Sequence, residues 1–254
     1  MNHSPGPLSR LSISLLLALL WISGFTARLP NDNICYYPSI KTIRVFKEGF
    51  ELSPPVIQLN STERLEISFD DLDQELKRYK FTILHCESDW NSSMDLPVSD
   101  YIDGYREEDI NQYAYSYNTT VKYIHFTTAF PTANMKPKVS GNYVLIVYEE
   151  DTSRVAFTAR FMVVESSPVV SEGRIVQSSR MADRLGRQQV DFEVKLNGFR
   201  VMDVGREIRV VVQQNGRWDN ALWLSKPRFT RSDELDYRYD ESNCFNGGNQ
   251  FRTF

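Results

Sequence analysis

The sequence is short of cysteine and histidine, with three of each, and it holds no block of like charge. Cys35, Cys86 and Cys244 lie far apart and are odd in number, so one bridge at most can form and a disulfide-built scaffold is excluded. His85 and Cys86 are adjacent, but neighbouring side chains on a strand point to opposite faces, and no second His or Cys sits at ligand spacing. Zinc needs three or four convergent ligands, so neither a metal site nor a cofactor is expected. The net charge is −4 with acidic and basic residues interspersed. Without a basic stripe or polybasic segment there is no footprint for nucleic acid or an anionic membrane surface. Ser140-Gly141 lacks the Gly-X-Ser-X-Gly frame of a nucleophile elbow, and no acid/base pair or triad stands at informative spacing. An enzyme is therefore not expected, and neither is a small-molecule substrate.

Long hydrophobic runs are also missing, with one exception. Residues 11–22 are apolar, preceded by His3 and Arg10 and followed by small or turn-forming residues up to Ala27. This predicts a signal peptide over residues 1–27. A spanning helix needs about 20 apolar residues, and no later segment is long enough to stop transfer. Cys35 follows Asp32-Asn33-Ile34 rather than the small residues of a lipoprotein site, so no direct membrane anchor is expected.

What is abundant is alternation. Apolar residues recur with period two over 40–49, 56–59, 65–69, 79–86, 126–130, 143–147 and 155–165, predicting seven strands. Strand 79–86 is apolar on both faces, which suits a central position. Seven strands in residues 36–166 fit an all-β fold of the immunoglobulin or fibronectin-III type, an antiparallel β-sandwich. Before the 143–147 strand, Lys138-Val139-Ser140-Gly141-Asn142-Tyr143 has the form of a tyrosine corner, so Gly141 and Tyr143 are expected to be structural. Leu145 stands where antibody domains place a disulfide cysteine, which excludes their type of core.

Residues 87–118 break the periodicity while remaining aromatic, and they predict a long ordered surface loop with a short helix near 107–111. Trp90, Tyr101, Tyr105, Tyr113, Tyr115 and Tyr117 in this loop are the candidates for contact with a partner, because Tyr and Trp dominate such contacts. Ser166-Ser167-Pro168 predicts an interdomain hinge. Residues 169–254 then predict a second, mostly β domain with strands at 173–177, 190–196 and 207–214 and turns at Asn197-Gly198 and Asn215-Gly216. No closing strand is visible before Phe254, so this domain is either small or incomplete.

Four stretches together carry a family resemblance. They are 57–73 (IQLNSTERLEISFDDLD), 81–104 (FTILHCESDWNSSMDLPVSDYIDG), 110–147, with its Pro-X-X-X-Met-Lys turn and SGNY corner, and the pair 213–220 (QQNGRWDN) and 246–252 (NGGNQFR). In combination the chain resembles the plug protein of the type IX secretion system of Bacteroidota, over nearly its whole mature length. The resemblance implies a longer protein than this one, favouring an incomplete second domain. It implies a non-enzymatic periplasmic protein whose partner is the large outer-membrane secretion barrel, and whose role is to close that barrel's periplasmic mouth reversibly.

Other features weigh less. Asp70-Asp71-Leu72-Asp73 lacks the central Gly and terminal Glu of a calcium loop and is expected to be a solvated turn. Three Asn-X-Ser/Thr triplets, at Asn60, Asn91 and Asn118, carry no weight in a bacterium. The alternative function is a carbohydrate-binding or adhesion module at the cell surface, since sandwiches with aromatic loops serve that end too.

Overall fold

The N-terminal half holds twelve strands, ten of them in the two sheets of a sandwich, in the computed structural model, which describes residues 31–248 apart from 166–168, 172, 225 and 240. The predicted signal peptide, the Ser166-Ser167-Pro168 hinge and the 249–252 part of the last motif lie outside the described residues. The strands are β1 (Ile34–Cys35), β2 (Ile40–Lys47), β3 (Val56–Gln58), β4 (Leu65–Asp71), β5 (Tyr79–Cys86), β6 (Ile102–Gly104), β7 (Glu108–Ile110), β8 (Gln112–Tyr115), β9 (Ile124–Phe130), β10 (Met135–Pro137), β11 (Gly141–Glu149) and β12 (Val155–Val164). One sheet runs in the order β2-β4-β9-β8. The other runs β1-β12-β11-β5-β7, with β3 added parallel to β12. β6 and β10 pair separately.

The alternation places the core. Leu65, Ile67 and Phe69 of β4 and Ile124, Phe126 and Phe130 of β9 are buried against Tyr79, Phe81 and Ile83 of β5, Tyr143, Leu145 and Val147 of β11, and Phe157 and Phe161 of β12. Phe69 is the hub. Its ring lies 5.0 Å from Tyr79, 5.1 Å from Phe126 and 5.1 Å from Phe157. Each such aromatic pair contributes about 1 kcal/mol beyond the area it buries. As predicted, β5 is interior, paired to β11 along its whole length and to β7 at its start.

The Tyr143 hydroxyl donates to the Val139 carbonyl at 2.8 Å, and its ring stacks 5.2 Å from Phe161. Gly141 has φ +149, and a Cβ there would overlap the His85 imidazole, so glycine is required twice over. His85 is satisfied structurally, with Nδ1 2.7 Å from the Ser93 hydroxyl and Nε2 3.3 Å from the Ser140 carbonyl.

In the N-terminal half the structure departs from expectation at three places. Residues 87–118 are not one loop: they contain β6, β7, β8 and a helical turn, α1 (Val98–Tyr101). The helix expected near 107–111 is strand β7 instead, because pairing with β5 buries Ile110 and overrides the local charged sequence. The 70–73 turn is not simply solvated. Asp71 is fully buried, accepting from the Tyr79 hydroxyl at 2.8 Å and the Asp73 N–H at 3.0 Å, with Lys77 Nζ at 3.1 Å. Asp70 meets His125 Nδ1 at 2.6 Å.

The C-terminal strands are β13 (Val169–Val170), β14 (Arg174–Gln177), β15 (Arg187–Asp191), β16 (Glu193–Lys195), β17 (Val210–Val212), β18 (Leu222–Leu224), β19 (Phe229–Arg231), β20 (Glu234–Asp236) and β21 (Cys244–Asn246). They form antiparallel sheets β13-β16-β20-β19 and β14-β15-β21 and the hairpin β17-β18 around a second core of Val190, Phe192, Val194, Leu235, Tyr237 and Phe245. The 190–196 strand is interrupted at Phe192. The 207–214 strand shrinks to β17, because Asp203 caps a helical turn, α2 (Val204–Glu207), by accepting from the Gly205 N–H. Asn197-Gly198 and Asn215-Gly216 both take the positive φ of such turns, but only the second joins an antiparallel pair, β17 to β18. A late strand that the sequence did not reveal, β21, pairs with β15.

Two tests follow from this packing. Gly141→Ala should lower unfolding free energy by about 2 kcal/mol or more, read by chemical denaturation, since it adds left-handed strain to a clash. The second concerns acid. Burial alone would raise the Asp71 carboxyl, but bonds from the Asp73 N–H, Tyr79 and Lys77 hold it below the ordinary value. A depressed carboxyl stabilises the fold above its unfolded value, about 4, and that contribution fades as pH falls through the folded value. Asp71→Asn should therefore lower the melting midpoint clearly at pH 7, with the gap to the parent narrowing below about pH 4.

Candidate protein-interaction surface

The outer face of the second sheet is apolar where an ordinary sandwich would be wet. Leu84, Cys86, Val144, Ile146 and Met162 face outward, and two indoles far apart in the sequence lie over them. Trp90 reaches them from the tight turn after β5. There its N–H donates to the Glu87 carbonyl at 2.9 Å, and its backbone adopts φ +65. Trp218 arrives from the hairpin between β17 and β18, its ring 4.9 Å from Trp90 edge to face and 6.2 Å from Trp223.

Arg160 on β12 fills the remaining space, its guanidinium 4.5 Å from the Trp90 ring and 4.9 Å from the Trp218 ring. Its Nε donates to the Asn31 carbonyl at 2.8 Å and its backbone N–H to Asn33 Oδ1 at 2.7 Å. Burial pushes the guanidinium below its usual basicity, and Asp32 at 3.4 Å pulls it back up. A largely desolvated cation between two indoles is worth about 2 kcal/mol. Beside this stack lies a cleft of about 970 Å³, lined by Cys35, Val45, Met162, Val210 and Gln213 among others.

The six aromatic candidates separate into two groups. Trp90 and Tyr101 are buried, the first under Trp218 and the second 5.9 Å from His85 and 6.3 Å from Tyr143, so both serve the interior and offer no free surface. Tyr105, Tyr113, Tyr115 and Tyr117 are exposed, Tyr117 by 92%. Tyr113 and Tyr115 share one face of β8 with rings 5.8 Å apart, and Tyr117 lies two residues past its end. Tyr105 stands apart, its N–H donating to the Asn134 carbonyl at 2.7 Å beside the β6–β10 pair. The structure thus reduces a diffuse aromatic loop to one tyrosine-bearing sheet edge.

The sequence reading did not single out Arg160 or Trp218 as site residues. The signal for Trp218 was present in the GRWDN turn, an indole amid polar residues. Arg160 carries no such signal, because it alternates with the apolar Phe157, Ala159 and Phe161 and so reads as an ordinary outward-facing strand residue. Among the described residues, no group of three or more His, Cys, Asp or Glu converges to hold a metal ion. No helix among them is long and apolar enough to cross a membrane.

Residues 40–165, which hold the sandwich from β2 to β12, match the family described as Type 9 secretion system plug protein 1st domain. The chain belongs to the plug family. That family is described as one of secretion-system plugs. A hypothetical protein from Parabacteroides merdae ATCC 43184, known from a crystal structure at 2.30 Å resolution, is similar to this plug chain with TM-score 0.79 and 31% identity. The match covers 87% of this chain and 55% of that one, so the chain spans little more than half the length of that relative. The Pseudomonas fluorescens alkylpurine DNA glycosylase AlkC bound to DNA containing an abasic site analog aligns at TM-score 0.26 and 14% identity over 49% of this chain and 30% of that one, too weakly to bear on the fold. No curated protein matches the sequence.

The indole stack makes its own prediction. Trp218→Ala should cost about 2 kcal/mol of stability and shift the remaining tryptophan emission to longer wavelength, as water reaches Trp90; denaturation followed by fluorescence measures both.

Proposed function

We propose that this chain is a periplasmic plug subunit of the type IX secretion system, which binds the periplasmic mouth of the outer-membrane secretion barrel and seals it reversibly. The observation that carries this reading is the plug first-domain match over residues 40–165. The physical argument supports it. A pore wide enough for folded cargo leaks solutes when open, so a rigid, removable body must cover it. Two sheets clamped by interlocking aromatic rings provide the rigidity. Removal asks for a modest, partly polar interface, and exposed tyrosines suit one because each ring offers a large amphipathic contact with little side-chain entropy to lose. Tyr113, Tyr115 and Tyr117 are the proposed contact, with Tyr105 at a second point.

The second reading, a carbohydrate-binding or adhesion module, draws on the same exposed rings, since flat aromatic faces also stack on sugars. One experiment separates the two. The tagged full chain, incubated with detergent-solubilised outer membrane of its host, should recover a large barrel protein identified by mass spectrometry, while a glycan array stays silent. Replacing Tyr113, Tyr115 and Tyr117 together by Ala should reduce barrel recovery at least tenfold with the melting midpoint unchanged. A glycan signal without barrel recovery overturns the plug reading.

A further inference from the structure

β8 ends its sheet, and its shortness, four residues, is the one protection it has. In the order β2-β4-β9-β8 its outer side has no neighbouring strand among the described residues, and all four of its residues are exposed. Natural edge strands are blunted by charge, proline, a bulge or a covering segment, because bare edges pair with whatever strand they meet. Here the pairing with β9 is regular from Gln112–Thr127 to Tyr115–Ile124, without a bulge. From 111 to 121 the sequence is NQYAYSYNTTV, with no charged residue and no proline.

The direction of the free backbone groups can be worked out. Antiparallel pairs alternate between those exchanging hydrogen bonds and those that do not. The Ser116 N–H donates to the Tyr123 carbonyl at 2.9 Å, so Ser116–Tyr123 is a bonded position. In the same register Ala114–His125 and Gln112–Thr127 are bonded positions as well, and Tyr113 and Tyr115 fall between them. The N–H and C=O of Tyr113 and Tyr115 therefore point away from β9, towards open solvent. The two residues whose backbone is free are the two whose rings sit together on one face.

From this edge we infer how the plug holds its partner: an extended, uncharged segment of the barrel protein adds as a further strand alongside β8. It bonds to the backbone of Tyr113 and Tyr115 and packs under their rings. The inference rests on the plug reading and specifies the chemistry of its contact. Backbone bonds would supply the affinity and the tyrosine rings the selectivity, as in other strand-addition complexes. The lack of charge along 111–121 means that the contact carries no ion pairs from this side, so it should be insensitive to salt.

The test compares Tyr115→Ala with Tyr115→Pro in the full chain. Alanine removes the ring and keeps the outward N–H. Proline removes both, yet leaves the inward ladder to β9 intact, because edge strands tolerate proline on the solvent side. Strand addition predicts that alanine lowers barrel recovery about threefold and proline at least tenfold more, with recovery equal at 50 mM and 500 mM salt. Residue-resolved hydrogen exchange on the unmodified chain gives a second measurement that needs no folded variant. The Tyr113 and Tyr115 amides should exchange freely alone and become protected in the complex, while the Ala114 amide is protected in both.

Equal recovery by the alanine and proline variants, or fast exchange of both tyrosine amides in the complex, overturns the strand-addition inference and leaves the plug reading standing. A dimer of the unmodified chain that Tyr115→Pro makes monomeric assigns the edge to a second copy and also overturns it. If the unmodified chain recovers no barrel, the plug reading itself fails.

Discussion

Every buried backbone amide needs a partner, and in a two-sheet fold that requirement decides which strands are interior and which face water. Here β11 is the strand most fully committed, bonded along β5 on one side and β12 on the other. Its start is fixed by Gly141, where no side chain fits beside His85, and by the Tyr143 hydroxyl tied to Val139. With β11 placed, β5 and β12 are placed too, the aromatic rings of the two sheets meet around Phe69, and the remaining strands are pushed outward to the edges. The exposed tyrosines are where they are because the interior leaves them no other place.

The same logic explains why the two faces of the second sheet differ from the usual pattern of one dry and one wet side. Its inner face packs on the first sheet. Its outer face is partly covered as well, because Trp90 and Trp218 lie over Leu84, Val144, Ile146 and Met162 with Arg160 held between the rings. A charged residue in this position is tolerated because its donors are spent on Asn31 and Asp32 and its flat faces are spent on indoles.

Much of this was legible in the sequence and some was not, for physical reasons. Strands of seven or more residues with one buried face announce themselves by alternation, so β2, β4, β5, β9, β11 and β12 were visible, and the corner was visible because it needs a glycine and a tyrosine at fixed spacing. Among strands of two to four residues, β3 and β14 showed because turn residues such as Pro54-Pro55 and Gly173 mark them off, whereas those without such flanks carry too few side chains to show a period. β6, β7 and β8 therefore read as a loop and β18 to β21 did not read at all. Asp71 was misjudged because an acidic cluster looks solvated until Tyr79 and Lys77 are known to enclose one of its members. Among the contact candidates, composition placed Trp90 and Tyr101 beside Tyr113 and Tyr115. Only the fold separates the rings that are needed inside from those that are free.

The cover that Trp218 provides has a consequence for where this molecule can be divided. The stretch that matches the plug first domain ends at residue 165, and Trp218 lies well beyond it. A polypeptide cut at that boundary would keep all of its strands and its whole aromatic core, yet it would bare an apolar patch on the back of its second sheet and leave Arg160 with one indole in place of two. The frontier between the two halves, as drawn along the chain, is thus not the frontier drawn by packing. The first half borrows part of its surface from the second.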